Sequence, residues 1–541
     1  MGRTCGEALV EMLEGHGVDT LFGIPGAHTL ELYRGISNTK IRHITPRHEQ
    51  GAGFMADGYA RATGRPGVCF AISGPGVTNT LTALGQALGD SIPVLLVSSV
   101  AATHDIAMGE GRLHAIDSQR ALTSHLTRWS HTLLRPDELP KVLARAFSLF
   151  ASARPGPVHL EIPLDVLAAP AEHLDLRPWP TTSPPAATPE VIRQASLLLD
   201  SASSPIIAVG GGAQDAASEL QTLAERLDAP VVNTVNAKGL LPADHALAVC
   251  GSVSCAPVRQ ALESADVVLA VGTELGETDY DYEFAGDLEL SGKLVRIDIE
   301  PAQLSRNARA EVAICSDARN ALRALCDQAP VHPRDRRGKG RVRELRAAVA
   351  ACREPFLEAF FATIQQQAPD AVVVGDSTRA SYYAWMQFDP AGPRSYFHSA
   401  SGFGTLGYAI PAAIGAKLAH PTRPVIALLG DGGALFTVAE LAVAAQLQLP
   451  VIFIIWNNSE YREIRTMMQA RDITPIGVST GPVDFCAVAE ALGCRACRIE
   501  SLAQLDRELA KAREHDGPLV LEIIEQETER HFAGHGTPPH Q

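Results

Sequence analysis

Asp431 and Asn458 have the residue types and the spacing of a divalent-cation site. They lie 27 positions apart (431 to 458) in GDGGALFTVAELAVAAQLQLPVIFIIWNN, each just past an apolar run. Those runs, VIALL before Gly430 and VIFIIW before Asn457, are continuous and aliphatic, which predicts buried parallel strands. Ala439 to Leu447 between them reads as the crossover helix. Both polar groups then stand at the carboxyl ends of strands, where open α/β sheets bind ligands. A carboxylate, an amide oxygen and a nearby main-chain carbonyl are hard donors. Mg²⁺ takes a few such ligands and completes its octahedron with phosphate oxygens. Gly430 and Gly432 flank Asp431 and let a diphosphate approach the backbone closely. An Asp-Gly turn and an Asn-Asn turn after ordinary strands would explain either dipeptide alone. The two together, at this spacing, predict a metal–diphosphate site.

This pattern resembles the metal signature of the thiamine-diphosphate enzymes. The resemblance implies that Asp431 and Asn458 bind Mg²⁺, with the main-chain carbonyl of Glu460 as third protein ligand. It also places Gly430, Gly432, Gly433 and Tyr461 against the cofactor. The segment RHEQGAGFMADGYARATGRPGVCFAISGPGVTN, Arg47 to Asn79, is similar to the cofactor-activating region of the same superfamily. Thiamine diphosphate acts only after its thiazolium ring loses a proton, and a carboxyl on the far pyrimidine nitrogen drives the tautomer that removes it. Glu49 occupies that position by resemblance. A glutamate opening an ordinary helix is the plain alternative. Ser73, Gly74 and Asn79 belong to the loop-to-helix turn that lines the active site in these enzymes.

The resemblance further implies an active site shared between two subunits, so that Glu49 and Asp431 of different chains act on one cofactor. A homodimer is then the minimal active unit, and a homotetramer is expected. In SASGFGTLGYAIPAAIGA, Leu406 matches the large aliphatic residue that bends the cofactor into a V, with Gly404 beside it.

Composition agrees with a soluble enzyme. The chain has 541 residues, 46% of them hydrophobic, enough for several cored domains. A net charge of −15 argues against nucleic acid or an anionic membrane as partner. No twenty-residue apolar span exists, the first ten residues lack the pattern of a signal peptide, and ten cysteines are scattered without a framework. A cytoplasmic protein is expected, with a small 2-oxo acid as its partner. Cys494 and Cys497 form a lone CxxC that reads as helix-to-strand packing rather than a zinc site.

Two stretches read as linkers: Ala168 to Pro189, which contains RPWPTTSPPAATP, and Pro330 to Glu344, PVHPRDRRGKGRVRE. Between them, short Val/Ile/Leu runs alternate with Ala-rich stretches. The expected fold class is α/β, with three doubly wound parallel-sheet domains. By resemblance these are a pyrimidine-binding domain over 1–168, a central domain over 190–329 and a diphosphate-binding domain over 345–541. The outer two should share a topology.

FGIPGAHTLELY, SGPGVTN and RPGPVHLEIPLDV look like acetolactate synthase, but three positions depart from it. Ala27 and His28 follow the early Pro-Gly, where those enzymes carry Gly-Gly or Gly-Ser. GRLHAIDSQ places His114 at the position of their site-facing glutamine. Their basic flavin run is replaced by TELGETDYDYE, Thr273 to Glu283, which weighs against FAD as a cofactor. This acidic loop, following the strand VVLAV, suits a guanidinium, which pairs with carboxylates in a planar fork. Glu277, Asp279 and Asp281 are its candidate substrate contacts, with Glu463 just past the metal site. A solvated acidic loop is the plain alternative.

The whole pattern resembles the 5-guanidino-2-oxopentanoate (2-ketoarginine) decarboxylases of arginine catabolism. They form 4-guanidinobutanal and CO₂ without oxidation. An acetolactate synthase or related carboligase is the alternative, and an inactive regulatory paralogue the third. The usual proton-handling residues of the decarboxylases are absent, Ala27 and Ile72 standing in their places. His28 and His114 are the available replacements, since imidazole titrates in the right range. A further glycine run, Gly210 to Gly212, with Asp298 ending KLVRID, matches a nucleotide pocket only weakly.

Overall fold

The computed structural model describes residues 2–280, 286–328 and 337–525. Its strands form three six-stranded sheets in which the paired strands run parallel. The first holds β1 (Thr20–Gly23), β2 (Arg42–Ile44), β3 (Gly67–Ala71), β4 (Val94–Val100), β5 (Trp129–Thr132) and β6 (Val158–Pro163), in the order β2-β1-β3-β4-β6-β5. The second holds β7 (Ile206–Val209), β8 (Val231–Asn233), β9 (Ala248–Ser252), β10 (Val267–Val271), β11 (Lys293–Asp298) and β12 (Val312–Cys315), in the order β12-β11-β10-β7-β8-β9. The third holds β13 (Val372–Gly375), β14 (Tyr396–His398), β15 (Val425–Gly430), β16 (Val451–Asn457), β17 (Arg495–Arg498) and β18 (Leu519–Ile524), in the order β14-β13-β15-β16-β18-β17. The first and third sheets thus share one topology, as the repeated pattern predicts. The central sheet has the strand order of a doubly wound dinucleotide-binding fold.

Burial explains the strand sequences. Each residue of β4 and β10 is buried, because helices cover both faces of the sheets. The first and third sheets are joined by two helices, Glu49–Thr63 and Ala409–Ala419, which meet almost backbone to backbone. A Cβ on Gly58 would overlap the Ala412 carbonyl, and one on Gly415 would overlap that of Met55. The small-residue run after Glu49 therefore exists to admit this contact. Arg61, on the same helix, is buried between Asp57 (2.6 Å) and Asp90 (2.7 Å), and Tyr408 OH also donates to Asp57. Removing either partner would strand a buried charge.

Two expectations need correction. The basic stretch read as a second linker is helical from Gly338 to Ala351. Val342 and Val349, one heptad apart, are buried against Val249, Val253 and Val258 of the central sheet's outer layer. That apolar stripe outweighs the charge of the other positions. Helical structure between Gly430 and Asn457 also begins earlier than Ala439. A helix starts at Asp431 itself (Asp431–Thr437), passes through a 3₁₀ turn and resumes at Leu441.

Candidate active site

In doubly wound sheets the ligand crevice lies where the strand order reverses. In the first sheet that point falls between β1 and β3, whose carboxyl ends lead into Gly26–His28 and Ser73–Gly74. His28 Nδ1 lies 2.8 Å from Ser73 Oγ, and the His28 and His114 rings meet edge to face at 5.2 Å. The structure therefore joins the two histidines that the sequence offered separately. Burial, and the neighbouring His114 ring, hold His28 below the ordinary imidazole range. A neutral imidazole here can accept a proton at its free nitrogen. His114 is held at a positive φ of 63° and its buried Nδ1 has no hydrogen-bond partner among the described residues. Gly74 (φ 66°) packs against the His114 backbone, which a Cβ would meet at 2.5 Å. The Ser-Gly turn thus fixes where His114 sits.

Sequence reasoning missed what lies beneath that turn. Gln119 is 2% exposed. Its Oε1 accepts from Gly74 N at 2.9 Å, and its Nε2 donates to Ser98 Oγ and to Glu161. His159 bridges Ser98 and Thr123, and burial holds it neutral, down to about 3. This layer supports the turn with fully partnered polar groups. The only sequence signal was a run of polar residues at strand positions, SS in β4 and VHLE in β6.

Glu49 opens its helix after the His48 cap and is half-buried in the single chain. Asn79 Nδ2 donates to Glu49 Oε2 at 2.9 Å, which orients the carboxylate. The amides of Arg47 and His48, just ahead of it, both donate to Glu440 at 3.0 Å. Glu440 is 1% exposed and comes from the third sheet's crossover. A Cβ on Gly51 would overlap its carboxyl. This contact escaped the sequence reading because it joins positions nearly four hundred residues apart.

In the third sheet the reversal falls between β13 and β15, which lead into Asp376 and Asp431. Asp431 Oδ2 accepts from Thr480 Oγ1 at 2.7 Å and its Oδ1 from Asn458 N at 3.4 Å. The two asparagines divide their roles. Asn457 is buried and bonds Glu522 (2.8 Å) and Val483. Asn458 stands at the site, accepting from Glu460 N (3.1 Å) and donating to Glu525 (3.0 Å). Glu525, 1% exposed, also holds Arg379 and Arg462 and so anchors the loop. Asp376 was not singled out from the sequence, although VVVGD repeats the pattern of LLGD. Its Oδ1 accepts from Ser377 N (2.8 Å), and a Cβ on Gly433 would lie 3.0 Å from it.

Burial pushes Asp431 upward and Asp376 up to about 6. Among the described residues neither carboxyl has an ion pair. Desolvated oxygens without a cation, beside glycine backbone, fit a bound Mg²⁺ and a diphosphate. Tyr461 lies over Gly432, where a Cβ would strike its ring at 2.5 Å. Leu406 is half-buried and Gly404 exposed at φ 71°. Their loop is tied to the first sheet by Gln86, whose Oε1 accepts from Thr405 Oγ1 at 2.9 Å. Glu463 is exposed on the helix Arg462–Ala470, which has no buried residue.

Among the described residues no hydrogen bond joins Glu49 to Asp431 or Asn458 within the chain. Leu435, Phe436, Ile464 and Ile476 are exposed on the segments that follow Asp431 and Asn458, and Leu30, Leu113 and Ile116 are exposed close in sequence to His28 and His114. The acidic loop lies elsewhere. Asp279 accepts from Thr273 Oγ1 (2.9 Å) and lines a cavity between the domains, with Glu277 exposed beside it. Glu274 of the same loop pairs with Arg154. Asp281 and Glu283 lie outside the described residues.

Models of the thiamine pyrophosphate enzymes match the chain in three places. The N-terminal TPP binding domain matches residues 3–122, the central domain 192–325 and the C-terminal TPP binding domain 374–523. The chain belongs to the thiamine pyrophosphate enzyme family. Among its relatives is a protein of Pseudomonas aeruginosa named probable 2-ketoarginine decarboxylase, 44% identical, the match covering 96% of this chain and 94% of that one. An acetolactate synthase of Arthrospira platensis is 33% identical, over 95% of this chain and 93% of its own length. Acetolactate synthase isozyme 1 large subunit of Escherichia coli is 30% identical, over 96% and 93%. No helix among the described residues is long and apolar enough to cross a membrane.

Proposed function

We propose that this protein is a thiamine-diphosphate- and Mg²⁺-dependent decarboxylase of 5-guanidino-2-oxopentanoate, releasing CO₂ and 4-guanidinobutanal. The observation that carries the reading is the 44% identity, over nearly the full length of both chains, to a protein named for that activity. The imidazole pair at His28 and His114 supports it, because a non-oxidative decarboxylation needs a proton returned at the reacting carbon.

Thiamine diphosphate, when bound, supplies the electron sink into which the bond to CO₂ collapses. The chain's residues then divide the remaining work. Asp431, Asn458 and the Glu460 carbonyl hold Mg²⁺, while the backbone of Gly430, Gly432 and Gly433 borders the diphosphate. Glu49, aimed by Asn79, would hold the pyrimidine, Leu406 would support the cofactor from below, and Ser73, Gly74, Gly404 and Tyr461 would line the cleft. His28 and His114 move the proton. Residues 1–168 serve as the pyrimidine domain, 190–329 as the central domain and 345–541 as the diphosphate domain. The exposed apolar residues around both halves suit closure by a second copy, so a homodimer is the active unit and a cytoplasmic homotetramer the expected form. Of the acids read from the sequence, Glu463 stands on the helix that follows the metal loop, and we assign the guanidinium to it.

The likeness to acetolactate synthases supports carboligation as the second reading. Purified enzyme with thiamine diphosphate and Mg²⁺ is assayed for CO₂ release from 2-ketoarginine and from pyruvate, with acetolactate scored separately. The decarboxylase reading expects 2-ketoarginine to be preferred and no acetolactate. Acetolactate as the main product from pyruvate would overturn it.

A further inference from the structure

A cavity of about 360 Å³ lies where the three domains meet, at the β7/β10 reversal of the central sheet. None of Glu49, His28, His114, Asp431 or Asn458 lines it. Sheets of this strand order receive nucleotides at that place, through free amides and a glycine run. Here three of the amides in and after that run already have backbone acceptors. Gly210, Gly212 and Ala213 N donate to the Val271, Gly272 and Gly210 carbonyls at 2.9, 3.0 and 3.0 Å. A Cβ on Gly210 or Gly212 would collide with Gly272, so the run serves packing between two turns.

The charges point the same way. Arg61, Arg154 and Arg394 line the cavity, and each is already paired, with Asp57 and Asp90, with Glu274 and with Asp215 respectively. Asp279 and Asp298 line it too, with no ion pair among the described residues. Asp298 is 8% exposed and accepts only from Glu300 N at 2.8 Å among the described hydrogen bonds. Burial lifts Asp298 and carries Asp279 up to about 6, although the Arg296 charge acts on both and Arg154 on Asp298 in the opposite sense. Ser401 is 5% exposed, lines the cavity, and its buried Oγ has no hydrogen-bond partner among the described residues.

We propose that this cavity binds a small organic cation, a guanidinium or primary ammonium compound, held by Asp279 and Asp298 with Ser401 as a further polar contact. A phosphate-bearing nucleotide would meet a glycine run whose Gly210, Gly212 and Ala213 amides are occupied, paired arginines, and two carboxylates without an ion pair among the described residues. The site draws on residues of all three domains, so its occupancy acts on how they pack and thereby on turnover. It does not depend on the substrate assigned above.

The test is calorimetry on holoenzyme with agmatine as the probe, alongside ADP and FAD. Expected is saturable agmatine binding, one per chain, with affinity lowered about tenfold or more in Asp298→Asn, as for loss of a charge-assisted hydrogen bond. Thr278→Trp, at an exposed position on the cavity rim, should block binding by filling the space. Glu463→Gln should leave it unchanged, and ADP and FAD should give no saturable heat. The proposal is overturned if agmatine affinity stays within about threefold in both cavity variants. It is equally overturned if affinity falls only in Glu463→Gln, which would place the probe in the substrate cleft, or if ADP or FAD binds and displaces agmatine.

Discussion

The first and third sheets have the same strand order and reverse at equivalent strands, yet they present opposite chemistry there. At the first, His28 and Ser73 share a 2.8 Å hydrogen bond, a second imidazole stands beside them, and the supporting layer is a fully partnered polar network around Gln119. At the third, two desolvated carboxyls, Asp376 and Asp431, face glycine backbone without a cation partner. On the proposed reading, one half moves protons and the other holds a cation and its phosphates. Topology decides where a ligand can sit, and the loops at that place decide what it is. Glu440 joins the halves within one chain, reaching from the cation half to the amides ahead of Glu49.

Breaking the two halves should therefore give different phenotypes. Asp431→Ala or Asn458→Ala should abolish turnover and cofactor retention together, since Mg²⁺ tolerates poor geometry badly. Calorimetry checks this, and unchanged thiamine-diphosphate affinity in both variants would remove the cation assignment. Glu49→Gln should keep the cofactor and Mg²⁺ bound while turnover falls about 10²–10⁴-fold, the usual reach of acid–base catalysis. Near-normal single-turnover rates would count against that role for Glu49.

Substrate choice sharpens the contrast further. Glu463→Gln should lower kcat/KM for 2-ketoarginine relative to 2-oxohexanoate by about one to two decades, the value of a desolvated charge-assisted pair. A ratio within about threefold of the parent would leave Glu463 as a solvated charge. For the histidine half, the signal is a pH profile. Burial and the His114 ring hold His28 below 6.5, so the acid limb of kcat/KM should fall below that value. His114→Asn, which tolerates the positive φ, removes one repulsive charge and should move that limb upward.

The smallest effect expected is on the link between the halves. Burial pushes Glu440 up to about 7 from 4.5. A folded value above the unfolded one contributes stability below about 4.5, and that contribution is lost as pH rises through about 7. Wild type should therefore lose Tm as pH rises from about 4.5 to about 7. Glu440→Gln keeps an acceptor for Arg47 and His48 and should flatten that change, by about 2–4 °C per kcal/mol recovered. Parallel Tm profiles for the two proteins would show that Glu440 does not titrate there.

Much was legible along the chain because local physics produced it. The aliphatic runs became β15 and β16, and Asp431 and Asn458 fell at their carboxyl ends, since a parallel strand buried on both faces can be little else. The repeated alternation of strand and helix likewise carried the three α/β sheets. Other features depended on contacts between distant positions. The sequence offered His28 and His114 as separate residues, and the edge-to-face pair exists only because the Gly74 turn packs on the His114 backbone. Gln119 and Glu440 read as ordinary polar residues until the fold buried them against amides from elsewhere. The acidic loop carried its charge in its sequence, but tertiary packing set Asp279 in the interdomain cavity, whose lining includes none of Glu49, His28, His114, Asp431 or Asn458. Residue types and spacing determined the chemistry available, and long-range packing decided which groups meet, because burial and pairing are properties of the assembled chain.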